Sequence, residues 1–349
     1  MIILGIETSC DETSAALIEG HKEYVTLKTN VLATSLALHA KTGGIIPEQA
    51  AREQIKYILP TVKKALDTSD QLNTFQHIDA IAVTYGPGLI GSLLVGVETA
   101  KTLAFALNKP IIPVNHMVGH IYANFIREKS EIKNQTLNLV PQFPLLALVV
   151  SGGHTDLLLM KEHGDFHLLG GTRDDAAGEA FDKIGRMLGL AYPAGPEIER
   201  LAKLGNPKRF RFPRPLLHEM NYEFSFSGLK TAVLREVQQI KKEELTNQTI
   251  ADLARSTQDA IIDVLVKKTL RAAKKYNVNS LILSGGVAAN QTLRESFELI
   301  MKSLHLNATL FAPQKSLCTD NAAMIASAAY FNFNPVPWKD ITADPELYF

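Results

Sequence analysis

The chain has 349 residues, of which 46% are hydrophobic and 21% are charged, and its 36 basic side chains balance 36 acidic ones. This length predicts two lobes with a sizeable apolar core, and the zero net charge excludes a uniformly basic nucleic-acid binder. Two cysteines, Cys10 and Cys318, are too few for a secreted disulfide framework. The segment from Met1 to Glu7 lacks the basic region of a signal peptide, and no apolar run reaches the roughly 18 residues of a membrane span. We therefore expect a cytoplasmic protein that does not enter a membrane.

Two segments repeat one pattern, which is an apolar strand, a short polar turn and a second apolar strand. The first lies between Ile2 and Ile18, and the second lies between Leu145 and Met160. One such hairpin near the start of each half predicts a duplicated, two-lobed α/β protein. The polar segment from Ser130 to Pro141 is expected to be a linker or an exposed loop at the lobe boundary.

Strands and helices follow one another in the rest of the chain. Between the hairpins the pattern predicts a strand over 78–84, a helix over 90–107, a strand over 111–114 and a helix that Asn115 caps and that runs to Phe125. Near the C-terminus it predicts a helix over 252–276, a strand over 280–283, a glycine turn at 284–286 and a helix from about Asn290. A strand, a glycine turn and a helix in this order place a ligand at the carboxyl edge of a sheet.

His116 and His120 are candidate metal ligands. Side chains four residues apart on a helix lie about 6 Å apart along its axis and on nearly the same side, so both imidazoles can reach one ion. The positive N-terminal end of a helix disfavours imidazolium and keeps both rings neutral for ligation. Two surface or capping histidines are the alternative, because the HxxxH pattern is short and unspecific.

Asp320 is the best remote candidate for a third ligand. It directly precedes a helix of small residues over 322–329, where its alternative role is the helix N-cap. Two histidines and one carboxylate leave open positions for substrate or water, and they suit iron or zinc. A zincin-type peptidase is disfavoured, because such enzymes place a general base where this chain has Met117, and a thioether cannot accept a proton at neutral pH.

Two glycine turns are candidate phosphate sites, Ser151-Gly152-Gly153-His154 and Ser284-Gly285-Gly286. Glycine has no Cβ, so backbone N–H groups in these turns can come close to phosphate oxygens. Tight hairpins also contain Gly-Gly for conformational reasons alone, and that alternative stays open. The chain has no Walker A pattern, which argues against a P-loop nucleotide fold.

Three acidic side chains have a functional and a structural interpretation each. Asp11 and Glu12 lie in the first turn, where one possible role is to form ordinary turn hydrogen bonds. If they face a metal and a phosphate, the other possible role is to orient a nucleophile or to accept its proton. Asp182 could accept hydrogen bonds from a ribose, as acidic residues do in other nucleotide sites, or it could be a solvated charge on a helix.

These residues together resemble the TsaD family, the bacterial tRNA N6-adenosine threonylcarbamoyltransferases, over essentially the whole chain. Six motifs carry the resemblance in the family's order: Gly5 to Thr13, His116 to His120, Val150 to His154, Asp174 to Lys183, Ser284 to Asn290 and Cys318 to Asn321. The resemblance implies an α/β, two-lobed actin/Hsp70-like ATPase (ASKHA) fold with a ligand cleft between the lobes. The expected lobes are 1–114 with about 321–349, and 115–320.

The resemblance also implies the reaction and its site. The family transfers the threonylcarbamoyl group of threonylcarbamoyl-AMP to N6 of the adenosine beside the anticodon in tRNAs that read codons beginning with A. One metal ion, with iron as the first candidate and zinc as the second, is implied at His116, His120 and Asp320. The family's substrate contacts map onto Val150, Ser151, Gly152, Gly153, His154, Asp182, Gly195, Glu199 and Asn290.

Two positions depart from the family pattern, and one role is our own hypothesis. Ala194 stands where the family commonly has glycine, and Glu199 stands where some members have aspartate. An exocyclic adenine amine is a poor nucleophile, because its lone pair is delocalised into the ring. A metal that polarises the acyl group and a base that takes the amine proton would therefore help, and Asp11 or Glu12 is the hypothesised base.

The partners that the resemblance implies are tRNA, threonylcarbamoyl-AMP, a TsaB-like paralogue that pairs with the first lobe, and a TsaE-like ATPase. The helices over 90–107 and 115–125 are candidates for the pairing surface, with burial in the core as their alternative. An ASKHA-type ATPase and a metallopeptidase are the competing functions. Fold alone does not exclude the ATPase, whereas Met117 and the glycine turns oppose the peptidase.

The balanced charge hides a basic segment. From Arg200 to Lys242 the chain has ten Lys or Arg against three Glu. Within it, Lys208-Arg209-Phe210-Arg211-Phe212-Pro213-Arg214 alternates cations with aromatic residues, a pattern found in loops that contact tRNA. A solvated loop is the alternative.

Overall fold

The computed structural model describes residues 1–36, 38–39, 44–69, 75–128, 140–241 and 244–349. The chain forms two compact units, of which the first contains Met1–Pro141 and Pro313–Phe349 and the second contains Gln142–Ala312. The expected lobes have the same discontinuous order, but the units have their boundaries elsewhere, after residues 141 and 312 instead of 114 and 320. Residues 130–139 of the predicted linker, Ser130 to Pro141, lie outside the described residues.

The first unit contains a six-stranded mixed sheet. Its strands are β1 (Ile2–Glu7), β2 (Glu12–Gly20), β3 (Val25–Thr34), β4 (Ala80–Gly86), β5 (Ile111–Asn115) and β6 (Ile126–Arg127). Their order is β5-β4-β1-β2-β3-β6, and β1 pairs antiparallel with β2, which confirms the first predicted hairpin. Because β1, β4 and β5 run parallel, their carboxyl ends share one edge of the sheet. The first acidic turn and the start of the histidine helix therefore lie at the same edge.

The second unit contains a five-stranded mixed sheet. Its strands are β7 (Leu145–Val150), β8 (Thr155–Met160), β9 (Phe166–Gly171), β10 (Ser280–Ser284) and β11 (Thr309–Phe311), in the order β11-β10-β7-β8-β9. The antiparallel pairing of β7 with β8 confirms the second predicted hairpin. Because β7 and β10 are parallel neighbours, the two predicted glycine turns follow strands that end at the same edge.

Helices pack on both sheets within their own units. They are α1 (Pro47–Asp67), α2 (Ile90–Leu107), α3 (His116–Tyr122), α4 (Ala177–Met187), α5 (Gly195–Ala202), α6 (Ser227–Gln239), α7 (Asn247–Tyr276), α8 (Gln291–Ser303) and α9 (Ala322–Phe331). The first three and α9 belong to the first unit, and the other five belong to the second. Asn115 caps α3 and Asn290 caps α8, as the sequence predicts.

Small residues let α9 lie directly against β1 and α3. Its residues from Ala322 to Ala329 are buried. A Cβ at Gly5 of β1 would lie 2.2 Å from the carbonyl oxygen of Ala322, and one at Gly119 of α3 would lie 2.7 Å from the Ile325 side chain. These close approaches bring the start of α9 to the helix that carries both histidines. The histidine helix therefore belongs to the first unit, together with residues 313–320.

Helix α2 corrects one expectation from the sequence. Among the described residues it is the one helix that is long and apolar enough to cross a membrane by length and composition, and 33% of its residues are buried. The expectation that no apolar run reaches this length is therefore wrong. One face of the helix, with Leu93, Val97 and Ala100, is fully buried. Core helices of globular proteins pass the same test, so the helix is weak evidence for a membrane span.

Candidate functional site

His116, His120 and Asp320 converge at the carboxyl edge of the first sheet. The two imidazole centroids are 4.7 Å apart. The Nε2 atom of each ring lies 3.4 Å from Oδ1 of Asp320, and one ligand atom from each of the three residues lies within 4.8 Å of the others. The sequence predicted these three residues separately, and the structure brings them together as a set that could hold a metal ion.

Asp320 is not the N-cap of α9. That role belongs to Asn321, whose Oδ1 accepts a hydrogen bond of 3.0 Å from the backbone N–H of Met324. The alternative interpretation of Asp320 as a helix cap is therefore wrong. Its carboxylate is left to face the imidazoles, and its side chain keeps 24% of its surface exposed.

The donor set fits a divalent transition metal. The His120 ring is buried, its Nδ1 has no hydrogen-bond partner among the described residues, and its Nε2 has only the 3.4 Å contact with Asp320. Unpaired buried nitrogens are costly, and metal ligation would satisfy Nε2. Burial lowers the pKa of His120, so its ring is neutral at neutral pH. Two imidazoles with one carboxylate are the ligands that iron and zinc take in open catalytic sites.

Charge around the set favours an ionised Asp320. Burial opposes ionisation of this carboxyl, but the neighbouring His116 and His120 outweigh it and hold the pKa of Asp320 well below its ordinary value. Burial also lowers the pKa of His116, yet the carboxylates of Asp320 and Glu7 on either side of the ring raise it well above the ordinary value. A cation is therefore favoured at this position.

Glu7 is a member of the site that the reasoning from sequence missed. It is fully buried at the end of β1, and its Oε2 lies 3.0 Å from Nδ1 of His116. The backbone N–H of Ser9 donates to Oε1 at 2.5 Å, and the Thr84 hydroxyl donates to Oε2 at 2.6 Å. A charged residue at the end of an otherwise apolar strand was the available signal.

The acidic turn between β1 and β2 is braced from α1. Buried Gln54 donates through Nε2 to the carbonyl oxygens of Cys10 and Glu12, at 3.0 and 2.9 Å. This glutamine was also missed, because a polar residue on an amphipathic helix carries no signal of its own in the sequence. It fixes the backbone from which both candidate bases project.

Asp11 and Glu12, the two candidate bases, both have a raised pKa. Its Oε1 accepts a hydrogen bond of 2.9 Å from the Thr34 hydroxyl, and its buried Oε2 has no partner in the described part of the chain. Burial raises the pKa of Glu12 to about 7. Burial and the charge of Asp320 also raise the pKa of Asp11. A base works best when its pKa lies near the working pH.

In the second unit, the turn after β7 presents an open glycine pair. The hairpin is closed by Ser151, whose backbone N–H donates to the carbonyl of His154 at 2.9 Å. A Cβ at Gly152 or Gly153 would meet no atom within 4 Å. Neither glycine is therefore required by packing, and both residues are exposed.

The two predicted glycine turns meet. Gly285 has a φ of 85°, and a Cβ there would lie 2.4 Å from the carbonyl oxygen of Val150. The turn from Ser151 to His154 also lies at the N-terminus of α4, because the Gly178 N–H donates to the Ser151 carbonyl at 3.1 Å. The positive end of a helix beside glycine N–H groups favours an anion.

The other predicted contacts of the second unit already have structural partners. Oδ1 of Asp182 accepts from the Ala194 N–H at 2.7 Å, and burial raises the pKa of this carboxyl. Glu199 accepts from the Gln291 N–H at 2.8 Å. Asn290 caps α8 through Oδ1 and donates to the Gln258 side chain at 3.0 Å. Their contact with substrate stays a prediction.

The departure at Ala194 is accommodated by the fold. Its φ of −90° is open to any residue, so this position does not require glycine. A Cβ at Gly185 of α4 would lie 2.1 Å from the Ala194 methyl group. The methyl therefore packs against a helix glycine, while a Cβ at the next residue, Gly195, would meet nothing within 4 Å.

The basic segment divides into bound and exposed cations. Arg209 donates to Oδ2 of Asp252 at 2.9 Å, and Arg214 donates to Oδ2 of Asp263 at 3.0 Å. Arg211, between them, is exposed. Two arginines of the predicted segment therefore anchor its loop to acidic residues, and Arg211 is exposed to solvent. Contact with tRNA stays a prediction.

One of the two expected pairing helices is excluded by burial. From His116 to Tyr122, every residue of α3 except Val118 is buried, so this helix offers no pairing surface. By contrast, α2 exposes 67% of Phe105, and its neighbour α1 exposes 65% of Ile55. An exposed apolar face is therefore formed by α1 and α2.

Comparisons with known proteins identify the family of the chain and support its fold. The chain matches the TsaD family, described as tRNA N6-adenosine threonylcarbamoyltransferase, over residues 26–327. It is 50% identical to such a transferase of Symbiobacterium thermophilum over 95% of this chain and 91% of the relative, and 49% identical to that of Bacillus subtilis over 95% and 91%. The crystal structure of HypF from T. kodakarensis matches 95% of this chain and 47% of that one, with a TM-score of 0.63 and 14% identity, which supports the fold alone.

Proposed function

The chain belongs to the TsaD family of tRNA N6-adenosine threonylcarbamoyltransferases, and we propose that its acyl donor is threonylcarbamoyl-AMP and that His116, His120 and Asp320 hold a divalent metal ion. The activity is thus acyl transfer to tRNA, and the fold is that of the two-lobed actin/Hsp70-like proteins. The observation that carries the metal proposal is the convergence of both Nε2 atoms on one oxygen of Asp320, each at 3.4 Å. Iron is the first candidate and zinc the second, because both take two imidazoles and a carboxylate.

The transfer forms a bond between N6 of the adenosine and the carbamoyl carbon and breaks the bond from that carbon to the phosphate oxygen, which leaves with AMP. The metal, when bound, would act as a Lewis acid on the carbonyl or the phosphate. Glu12 accepts the proton that N6 loses, since its Oε2 has no other partner among the described residues and burial raises its pKa to about 7. In the second unit, the N–H groups of Gly152 and Gly153 bind the phosphate, and Asp182 accepts from the ribose.

Single-turnover transfer with Glu12→Gln tests the base, and Asp11→Asn is the matched comparison. We expect Glu12→Gln to lower the rate roughly 100-fold or more, the range of a lost general base, with unchanged binding of threonylcarbamoyl-AMP. The wild-type rate should rise with pH and level off as Glu12 ionises, whereas the variant should lose this rise. A full rate in Glu12→Gln together with a slow Asp11→Asn would move the role to Asp11.

Metal content of the purified protein tests the ligands. The double variant His116→Ala/His120→Ala should lose bound iron or zinc as well as transfer, while His218→Ala, an exposed histidine of the second unit, should keep both. Full occupancy in the double variant would contradict the ligand assignment. Purification without oxygen, followed by reconstitution with Fe²⁺ or Zn²⁺, decides between the two metals.

We also propose that a TsaB-like paralogue pairs with the apolar face of α1 and α2, that a TsaE-like ATPase joins the complex, and that the protein acts in the cytoplasm. The exposed Phe105 and Ile55 support the pairing face. Phe105→Glu should abolish pairing in analytical ultracentrifugation. The control is Met220→Glu, in the second unit, where 81% of the side chain is exposed. Unchanged pairing in Phe105→Glu would place the paralogue elsewhere.

A further inference from the structure

We propose that Glu7 is a positioning residue that fixes the tautomer of His116, so that the Nε2 of this ring presents a lone pair to the metal. The inference rests on the metal site proposed above, and it concerns a residue that touches neither the metal nor the substrate. Glu7 is buried at the end of β1, and its Oε2 lies 3.0 Å from Nδ1 of His116. Nε2, on the other side of the ring, lies 3.4 Å from Oδ1 of Asp320.

The partners of Glu7 show which of the two atoms carries the proton. The Ser9 N–H donates to Oε1, and the Thr84 hydroxyl donates to Oε2. Because the Glu7 carboxylate accepts both of these hydrogen bonds, it is ionised, and it faces Nδ1 of His116 with a lone pair as well. An imidazole nitrogen can bond to it at 3.0 Å only as N–H. In the neutral ring Nε2 is then bare, which is the form that ligates a metal.

Ser9 is the competing partner. Its hydroxyl oxygen lies 3.1 Å from the same Nδ1 and could donate to it, which would impose the opposite tautomer. A bare Nδ1 would then face the lone pairs of Glu7 at 3.0 Å, with no proton between them. Glu7 therefore keeps a proton on Nδ1, and the Ser9 hydroxyl accepts a share of the same N–H. A bound metal would replace the proton that Asp320 favours on Nε2.

His120 has no such support, since its Nδ1, on the side of the ring away from Asp320, has no hydrogen-bond partner among the described residues. The site thus combines one imidazole that is oriented before a metal arrives with one that is not. Loss of a group that orients a ligand typically lowers metal affinity roughly 10- to 100-fold. The effect of Glu7 should therefore appear in metal binding itself.

Glu7→Gln reverses the tautomer with little change in shape. The Ser9 N–H requires an acceptor at the Oε1 position, so the amide oxygen takes that place. The amide NH₂ then occupies the Oε2 position and donates to Nδ1, and the proton moves to Nε2, where it blocks ligation. The Thr84 hydroxyl can turn to accept from the same NH₂. Ser9→Ala is the matched control, because it removes only the competing partner.

The experiment measures the dissociation constant of Zn²⁺ for the full chain by competition with a chelator. We expect Glu7→Gln to weaken Zn²⁺ roughly 10- to 100-fold and Ser9→Ala to change it less than about threefold. Equal affinity in Glu7→Gln and wild type, or a loss confined to Ser9→Ala, would overturn the role of Glu7. A wild-type protein that binds no Zn²⁺ would instead refute the metal site.

A second measurement does not depend on the folding of a variant. Long-range ¹H–¹⁵N correlation spectra of histidine-labelled wild type loaded with Zn²⁺ report which ring nitrogen of His116 carries the proton. The metal-free protein does not serve, because Asp320 and Glu7 raise the pKa of this ring and favour a proton on both nitrogens. We expect Nδ1–H in wild type and in Ser9→Ala, and Nε2–H in Glu7→Gln. A wild-type ring protonated at Nε2, or an even mixture of tautomers, would overturn the proposal.

Discussion

Replacing Glu12 by glutamine should stabilise the metal-free protein in a way that depends on pH. Burial raises the pKa of Glu12 from 4.5 to about 7, so the folded state keeps a proton that the unfolded state releases. Wild type therefore loses stability as pH rises from about 4.5 to about 7 and carries the full penalty above this range. Glutamine does not ionise, so it escapes this loss.

The expected size follows from the two pKa values. The step from 4.5 to about 7 corresponds to about 3.4 kcal/mol at 1.36 kcal/mol for each pKa step. Partial contact of Glu12 with solvent screens the carboxylate, which reduces the expected gain to about 1–2 kcal/mol. A residue whose ionised form is disfavoured by the fold is also one that can take a proton, so the same substitution should stabilise the protein and slow transfer.

Urea unfolding at pH 5 and pH 8, with metal removed by a chelator, measures this effect. The free energy of unfolding of Glu12→Gln minus that of wild type should be about 1–2 kcal/mol larger at pH 8 than at pH 5. Glu23→Gln, which removes an exposed carboxylate, should show little such change. An equal difference at both pH values, or one that shrinks as pH rises, would refute the reasoning about the burial of Glu12.

Two further predictions each compare two variants of the second unit. Gly152→Ala adds a methyl group in open space, so we expect its stability to stay within about 0.5 kcal/mol of wild type and its KM for threonylcarbamoyl-AMP to rise. Gly178→Ala places a Cβ 2.5 Å from the Ser151 carbonyl oxygen, so we expect it to lower the stability by about 1–3 kcal/mol. Thermal unfolding and steady-state kinetics separate the two outcomes, and a normal KM in Gly152→Ala would argue against a ligand at this turn. Arg211→Glu should weaken tRNA binding and lower its salt dependence, whereas Arg209→Glu should mainly destabilise the loop because it breaks the pair with Asp252. Unchanged tRNA affinity in Arg211→Glu across salt concentrations would refute the basic-face interpretation.

Much of the fold could be read from the sequence because its signals are local. The two hairpins, the helix at Ile90–Leu107 and the caps at Asn115 and Asn290 all follow from apolar periodicity and from the residue before each helix. The meeting of the two glycine turns was not predicted, because the pairing of β7 with β10 joins segments more than 100 residues apart. Such pairing has no local signal.

The candidate metal ligands could be predicted from the sequence, but the residues that hold the site in place through hydrogen bonds could not. The two histidines share one helix face, which spacing alone indicates. Asp320 could not be separated from a helix cap until the structure assigned that cap to Asn321. Glu7 and Gln54 act through hydrogen bonds to partners that are far away in the sequence. Glu7 is 109 residues from His116, and Gln54 is 42 residues from Glu12. Their roles depend on the fold that brings the partners together.

The acidic edge of the first sheet links the raised pKa of Glu12 to the metal. Asp320 repels the charges of Asp11 and Glu12, so without a cation these carboxyls are costly to ionise together. A divalent ion at Asp320 would add positive charge beside them and lower both pKa values. The pH at which the stability difference of Glu12→Gln develops in metal-free protein should therefore lie above the pH at which transfer by loaded wild type levels off. If the two pH values coincide, then the ion does not act on Glu12, and the base and the metal are independent parts of the site.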